Sequence, residues 1–346
     1  MGGTDVGPDD DVCRLHQVGD RAPPTPMHRR LAYLGTPEAA VPPLRALVEA
    51  GHDIALVITR PDRRRGRGPV LSPSPVKSEA QRLHIPVAHD IHAVLEAGVT
   101  LGVVVAFGRI IPVDVLRRVP MVNVHFSLLP SWRGAAPVER AILAGDAVTG
   151  VSIMAVEEGL DTGPLYASEQ IAIGDAEDVE SLRSRLALAG ARLVVDVLGR
   201  PLSEPAPQAG SATYAAKITQ DDLLLRWDKP AAELARVVRL GRAWTTWRGN
   251  RLRVLEARAE AEVEAAPAEV EAAPAEAEAA PAEPETAPDP GSEAAPPPGT
   301  IIEDAVVTGR GRLRVLRVQA EGREPLTFAE WRRGARPQPG ARLGTP

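Results

Sequence analysis

The chain has 346 residues, 44% of them hydrophobic and 25% charged, with a formal net charge of −6 and one cysteine, Cys13. That length fits two domains, or one domain with appendages, and the apolar content is enough for a core. A single cysteine excludes a disulfide framework and a cysteine-based zinc site; no apolar run reaches the roughly 18–20 residues of a membrane-spanning helix, and no basic-then-apolar leader opens the chain, so a soluble cytoplasmic protein is expected.

Residues 1–26 are rich in Gly, Asp and Pro without hydrophobic period and read as a disordered tail; Met27 stands directly before the first strand as a candidate start. "LAYLGT" (31–36) is a short apolar strand, followed by helical spacing over 38–50 with Ala39, Leu44, Leu47 and Val48. "DIALVIT" (53–59), "TLGVVVAF" (100–107) and "MVNVHFS" (121–127) are further strands. Continuous Val/Ile/Leu runs separated by helices predict an α/β fold with a Rossmann-like, mostly parallel sheet covered on both faces. "PVERAILAG" (137–145) is a helix with Pro137 at its start, "GVSIMAV" and "LYASEQIAI" are strands, and 177–198 is a long amphipathic helix.

A Pro/Ser/Ala-rich stretch over 200–211 marks a boundary. Beyond a helix near 230–240, the Gly-bounded runs "AWTTWRGNRLRVLEA", "TIIEDAVVTGRGRLRVLRVQ" and "LTFAEWRRG" predict a small β-barrel of the OB-like kind. The tandem "VEAAPAE" repeat inside this region places a proline every seven residues and carries charge of one sign, which predicts a disordered acidic insertion over 259–300. That insertion holds eleven acidic side chains and no basic one, so the remainder of the chain is mildly basic at +5 and suits a polyanionic partner. The expected organisation is a catalytic domain over 27–205, a linker over 206–228 and a barrel over 229–346.

Two stretches carry chemistry. In "NVHFSLLPSWRG" (123–134), Asn123, His125 and Ser127 alternate along a strand and so share one face, opposite Val122, Val124 and Phe126. Ligands of open α/β sheets bind beyond the carboxyl ends of strands, and burying three polar groups is costly unless each is paired. In "EEGLDTGP" (157–164), Asp161 lies in a loop between Gly159 and Gly163. An Asx-turn and a loop-holding network around a core histidine would explain each stretch separately. Taken together, a carboxylate meeting His125 across strand ends favours the protonated ring and fixes its tautomer, and Asn123 can donate to an oxyanion; the set suits acyl transfer. No G-x-S-x-G elbow accompanies it, which favours direct transfer to an amine. His125 has no second His or Cys at ligand spacing, so no metal is expected.

"NVHFSLLPSWRGAAPVERAI" with "GLDTGP" resembles the folate-dependent formyltransferases, and "YLGTPEAAVPPLRAL", "TRPDRRRGRGPVLSPSPVK" and "VVVAFGRIIP" extend the likeness to the members that act on charged initiator tRNA. The resemblance runs from about Met27 to the C-terminus. It implies transfer of a formyl group from 10-formyltetrahydrofolate to the α-amine of methionyl initiator tRNA, with Asn123, His125 and Asp161 as the catalytic set. It further implies that Ser127, Leu128, Leu129 and Pro130 line the reduced-folate pocket and that the C-terminal barrel helps hold tRNA; a monomer is expected. Arg60, Arg63, Arg64, Arg65, Arg67 and Lys77 lie in a Gly/Pro-rich loop suited to phosphates, and Arg67 matches the family's key arginine of the acceptor-stem loop. Two departures stand out. Pro69 and Val70 occupy places where the family often has lysines, and the turn within "VVRLGRAWTTW" (237–247) is shortened. The alternatives are a formyltransferase for glycinamide ribonucleotide or an amino sugar, and an inert RNA-binding protein. Against the first, "GTPEAA" lacks a Gly-rich phosphate loop; against the second stands the intact Asn/His/Asp set.

Overall fold

The computed structural model describes residues 27–64, 71–260 and 296–344. The expected tail, most of the acidic insertion, and Arg65, Arg67, Pro69 and Val70 lie outside the described residues.

The first strands in chain order are β1 (Arg30–Gly35), β2 (Asp53–Ile58), two-residue β3 (Arg63–Arg64) and β4 (Leu71–Ser72), β5 (Val87–Ala88), β6 (Leu101–Val105) and β7 (Met121–His125). After them come β8 (Arg133–Gly134), β9 (Val148–Ala155), β10 (Leu165–Ala172) and β11 (Tyr214–Ala215). Seven of these form one sheet in the order β10-β9-β7-β6-β1-β2-β5. The strands from β7 to β5 run parallel, β9 is antiparallel to β7, and β10 is antiparallel to β9.

The alternation read from the sequence decides which face each residue buries. Leu31, Tyr33, Val103, Val105, Val122, Val124 and Phe126 pack in one core with Leu44 and Leu47 of α1 (Val41–Glu49), and with Leu182 and Leu186 of α5 (Val179–Leu198). Ala32, Leu34, Val104 and Met121 face a second cluster with Ile91, Val94 and Val115. Helix boundaries have local causes. Pro42 and Pro43 occupy the first turn of α1, where the missing N–H groups have no helical partner to lose. Asp178 caps α5 by accepting from the Ser181 N–H, and Gly145 ends α4 (Pro137–Ala144) in the left-handed conformation.

The second unit consists of α6 (Ala231–Arg239), β12 (Trp244–Trp247), β13 (Asn250–Glu260), β14 (Ile301–Ile302), β15 (Ala305–Val307), β16 (Arg312–Ala320), β17 (Leu326–Thr327) and α7 (Phe328–Ala335). Its antiparallel sheet runs β12-β13-β16-β15-β14, with β17 on β16. The last described residues join its two edges. Leu343 N–H bonds the Gly299 carbonyl, Ile301 N–H bonds Ala341, and Gly344 N–H bonds Thr246, so the sheet curls into a small barrel. Trp227, Leu252, Val254, Val315, Phe328 and Trp331 fill it.

Three expectations need correction. "LTFAEWRRG" is not a strand beyond Thr327. Thr327 Oγ1 accepts from the Glu330 N–H while the Glu330 carboxylate accepts from the Thr327 N–H, a capping box that starts α7. Phe328 and Trp331 then stack three residues apart, 5.3 Å between centroids. Lys77 lies on α2 (Pro75–Arg82) rather than in a loop. At the edges of the insertion, Ala259 and Glu260 pair with Leu313 and Arg312 inside the sheet, and Thr300 is buried. In the connecting segment, Leu223 joins the first core, whereas Leu225 and Trp227 join the barrel's. Among the described residues no helix is long and apolar enough to cross a membrane.

Candidate active site

β7 delivers two of the expected residues to its carboxyl end. Asn123 and His125 project from the same face as Met121, and the strand stops at His125. The loop 156–163 brings Asp161 to them. His125 Nδ1 lies 3.7 Å from Asp161 Oδ2, with side-chain exposures of 6% and 14%, and Asn123 Nδ2 lies 3.5 Å from Asp161 Oδ1. The carboxylate is held by the backbone N–H of Gly134, 2.8 Å from Oδ2. Next to β11 the N–H groups of Arg133 and Ala135 bond Thr213 and Ala215, which leaves that of Gly134 for the carboxylate; a Cβ on Gly134 would meet the Ala215 carbonyl oxygen at 2.9 Å, and its φ of +121° disfavours any L-residue.

The tautomer of His125 follows from its other partner. Nε2 lies 2.9 Å from the Trp132 carbonyl oxygen, which can only accept, so Nε2 carries a hydrogen and Nδ1 is the nitrogen left to exchange a proton beside Asp161. Trp132 presents that carbonyl from a left-handed backbone (φ +61°), uncommon for a bulky residue. Three bonds hold it there: its N–H on Thr213 Oγ1, its indole N–H on Asp146, and the Ser131 N–H on the Leu128 carbonyl just before it. The arrangement is a half-buried amide, a buried imidazole and a largely buried carboxylate, the last two held in direction by backbone groups. It can move a proton between Nδ1, the carboxylate and a bound substrate, and the second amide hydrogen of Asn123 is free to meet a developing oxyanion.

Ser127 does not join this set. It lies past the end of β7, fully buried, with its hydroxyl donating to the Ser131 carbonyl. Leu129 and Pro130 are also buried; Leu129 N–H bonds Ser152 Oγ, which in turn donates to the Ser127 carbonyl. Of the four expected folate-lining residues, only Leu128 keeps a partly exposed side chain. A cavity of about 420 Å³ instead lies between α3 (Val113–Leu116) and the loop that carries Asp161, lined by Val113, Leu116, Arg117, Val156, Glu157 and Gly159. In the chain segments that flank its lining residues, Ile110 and Leu160 expose large apolar side chains, 90% and 64% accessible. Both stretches stand out in the sequence, "EEGLDTGP" for Asp161 and "VVVAFGRIIP" for the family likeness, but neither predicts a cavity between them. The signal was "GRIIP", which leaves an isoleucine in a Gly- and Pro-bounded turn with no core to enter. Among the described residues no group of three or more His, Cys, Asp and Glu side chains is placed to hold a metal ion.

The basic loop is only partly a free surface. Arg63 and Arg64 are exposed on the β3–β4 ribbon. Arg60 instead donates to the Gly108 carbonyl, and Lys77 is held by both oxygens of Asp62 at 2.8 and 2.9 Å.

Residues 29–198 match the family described as formyl transferase, and residues 217–336 match its C-terminal domain. A protein of Heliobacterium modesticaldum named methionyl-tRNA formyltransferase is 39% identical over 337 residues, covering 91% of this chain and all of that one. One of the same name from Phenylobacterium zucineum is 40% identical over 331 residues, covering 91% and 99%. Among solved structures, HypX from Aquifex aeolicus in complex with tetrahydrofolic acid superposes with a TM-score of 0.56 at 15% identity, over 89% of this chain and 48% of that one. The N-formyltransferase from Helicobacter canadensis with folinic acid and dTDP-3-aminofucose gives 0.55 at 19% identity, over 68% and 89%. Both structural likenesses concern the fold.

Proposed function

The chain belongs to the methionyl-tRNA formyltransferase family, and from that premise we propose that it transfers a formyl group from 10-formyltetrahydrofolate to the α-amine of methionyl initiator tRNA. When bound, the reduced folate supplies a formyl group on a nitrogen that can leave. Its ring system is assigned to the open cavity beside the Asp161 loop: about 420 Å³ lies at the small end of ligand pockets, and Val113, Leu116 and Val156 supply apolar wall beside residues 157–159. Leu128 and the backbone of 127–130 would bound the site on the β7 side.

The chain's own residues then divide the chemistry. Asn123 donates its second amide hydrogen to the formyl oxygen as negative charge develops there. Asp161 and His125 Nδ1 receive the proton that the attacking amine must lose and pass one to the departing nitrogen, so the two proton movements balance. The Trp132 carbonyl keeps Nε2–H in place and the Gly134 N–H keeps the carboxylate in place, which leaves the reactive nitrogen facing the reactive oxygen. Arg63 and Arg64, with Arg65 and Arg67 of the same sequence run, would meet the tRNA phosphates, together with the basic second unit. Lys77 would contribute through Asp62 and Arg60 through the loop after β6, each as a support of the loop rather than a phosphate contact.

The observation that carries this reading is the convergence of Asn123, His125 and Asp161 at the carboxyl end of β7 in a chain that also bears a basic barrel. The test offers labelled 10-formyltetrahydrofolate with charged initiator tRNA, glycinamide ribonucleotide and a nucleotide-linked amino sugar in parallel. Label on methionyl initiator tRNA is expected; preferential label on either small amine would replace the reading with the corresponding activity.

A further inference from the structure

Residues 200–216, which join the two units, do not pass clear of the active site. Ala206 exchanges both backbone hydrogen bonds with Leu165 at the start of β10, at 2.7 and 2.9 Å. Thr213 accepts from Trp132 N–H on its hydroxyl and from Arg133 N–H on its carbonyl, and β11 then pairs with β8. Between these anchors lies Gln208, a lone amide in a Pro- and Ala-rich stretch.

The side chain of Gln208 makes four contacts. Its Nε2 donates to the carbonyls of Asp161 and Gly163, each at 2.8 Å. Its Oε1 accepts from Arg133 Nε and Nη2, at 3.1 and 2.6 Å. Chemistry fixes this orientation. A guanidinium only donates, so Oε1 must face Arg133, and both amide hydrogens then point at the two carbonyls, which only accept. The amide is fully used and cannot be turned round without four mismatches.

Those two carbonyls bracket the turn that holds Asp161. Asp161 has φ +52°, a left-handed conformation that L-residues adopt rarely. On the inner side the chain is pressed so close that a Cβ on Gly163 would lie 1.9 Å from the Ala155 carbonyl oxygen. Gln208 holds the same turn from the outer side. Its partner Arg133 immediately precedes Gly134, whose N–H holds the Asp161 carboxylate. The main chain and the side chain of Asp161 are therefore tied to one dipeptide, through Gln208 and directly.

We infer that Gln208 is a positioning residue: the segment joining the two units sets the place of the Asp161 carboxylate relative to His125 and so forms part of the active site. This rests on the role given to Asp161 above. The sequence bears on its specificity. Alanine offers none of these bonds and asparagine is one methylene shorter, whereas the glutamine amide, with two donors and one acceptor, meets Arg133 and both carbonyls at once.

The experiment uses the full chain and measures kcat and KM for 10-formyltetrahydrofolate with charged initiator tRNA, alongside thermal unfolding. Gln208→Glu is isosteric but sets an acceptor against two carbonyls; kcat is expected to fall about ten- to a hundredfold, as for a small misplacement of a reacting group, with KM nearly unchanged. Gln208→Met, which keeps length and removes all four bonds, should lower kcat in the same sense and serves if Gln208→Glu does not fold. In an Asp161→Asn background, Gln208→Met should cost no further turnover, because the carboxylate it positions is gone. Wild-type kcat in the isosteric or the Met variant overturns the proposal, and so does an equal loss from Gln208→Met with and without the Asp161 carboxylate. Wild-type turnover in Asp161→Asn alone overturns the catalytic assignment itself, and this inference with it.

Discussion

Replacing Asp161 by Asn keeps the shape of the site and changes only what its oxygens can do. Two carboxylate oxygens now face Gly134 N–H at 2.8 Å, Asn123 Nδ2 at 3.5 Å and His125 Nδ1 at 3.7 Å. An asparagine amide has one acceptor. With that oxygen toward Gly134, its NH₂ opposes the NH₂ of Asn123; turned the other way, it opposes the Gly134 N–H. Either orientation forfeits a hydrogen bond to a charged group, worth about 1.5–3 kcal/mol, which is roughly ten- to a hundredfold in rate if felt fully in the transition state. Loss of a proton acceptor costs roughly 10²- to 10⁴-fold. The two losses act through one group and do not multiply, so the larger sets the result: kcat falls about 10²- to 10⁴-fold. Because the cavity beside α3 is lined by other residues, KM for the folate donor should change little. Initial-rate formylation of charged initiator tRNA, with circular dichroism and thermal melting on the same sample, reads both. A cooperatively folded variant with kcat within about threefold of wild type would refute proton transfer through Asp161.

Other outcomes follow from other parts of the molecule. Arg67→Ala should weaken use of tRNA, spare folate binding and flatten the salt dependence of turnover by a slope of roughly one or less; identity with wild type across a salt series would move the tRNA contact elsewhere. Replacing residues 261–295 with about eight Gly and Ser residues should keep the barrel, because Glu260, Arg312, Val307 and Thr300 lie side by side across one end of the sheet. Three strand spacings are about 14 Å, a span that four or five extended residues cover, and the shorter loop should add about 1 kcal/mol of stability; a cooperative loss of structure on thermal melting would contradict this. Removing the ten acidic residues of that segment should also lower KM for tRNA at low salt. At the junction of the two units, burial pushes the Asp222 carboxyl up, but hydrogen bonds from Arg140 and Thr219 prevail and hold it down at about 2, against an ordinary 3.8. A depressed folded value means that its contribution is full above about pH 4 and is lost as pH falls toward 2. Asp222→Asn should therefore lower the melting temperature near neutral pH, and the gap should close in acid; a gap unchanged at about pH 2.5 would show that the ion pair is not its source.

What could be read from the sequence was what repeats with a period. Leu31 and Tyr33 against Ala32 and Leu34 declare a strand buried on two faces, and the structure sorts them into two clusters; Val122 and Val124 join the first of these, opposite Asn123 and His125. Elements too short to show a period were missed: two-residue β5 has no alternation to display, and α2 is hidden behind the Pro- and Arg-rich run before it. "LTFAEWRRG" misled because aromatic and β-branched residues favour strands, while the deciding contact, Thr327 with Glu330, is a local cap that overrides that preference.

The candidate site divides along the same line. Asn123, His125 and Asp161 were legible because amide, imidazole and carboxylate side chains are conspicuous in apolar strands and Gly-bounded turns. Their partners were not, because most are backbone atoms that every residue possesses. The Trp132 carbonyl that fixes the His125 tautomer and the Gly134 N–H that holds Asp161 leave no mark in residue type beyond a tryptophan and a glycine in a loop. Ser127 shows the converse error. Its hydroxyl continues the period of Asn123 and His125 on paper, but the strand ends at His125, so two residues later the period no longer fixes a direction and the hydroxyl turns to the Ser131 carbonyl. Gln208 lies farthest from legibility, 47 residues beyond Asp161 in a stretch whose composition reads as linker. Composition measures how much apolar surface a segment can bury, and by that measure 200–211 has little. It does not measure hydrogen bonding, and four bonds from one amide tie this segment to the active site more tightly than its few apolar residues could. A low-hydrophobicity connector between two cores is therefore a place where a polar side chain without local partners has somewhere specific to go, and the catalytic turn is what Gln208 reaches.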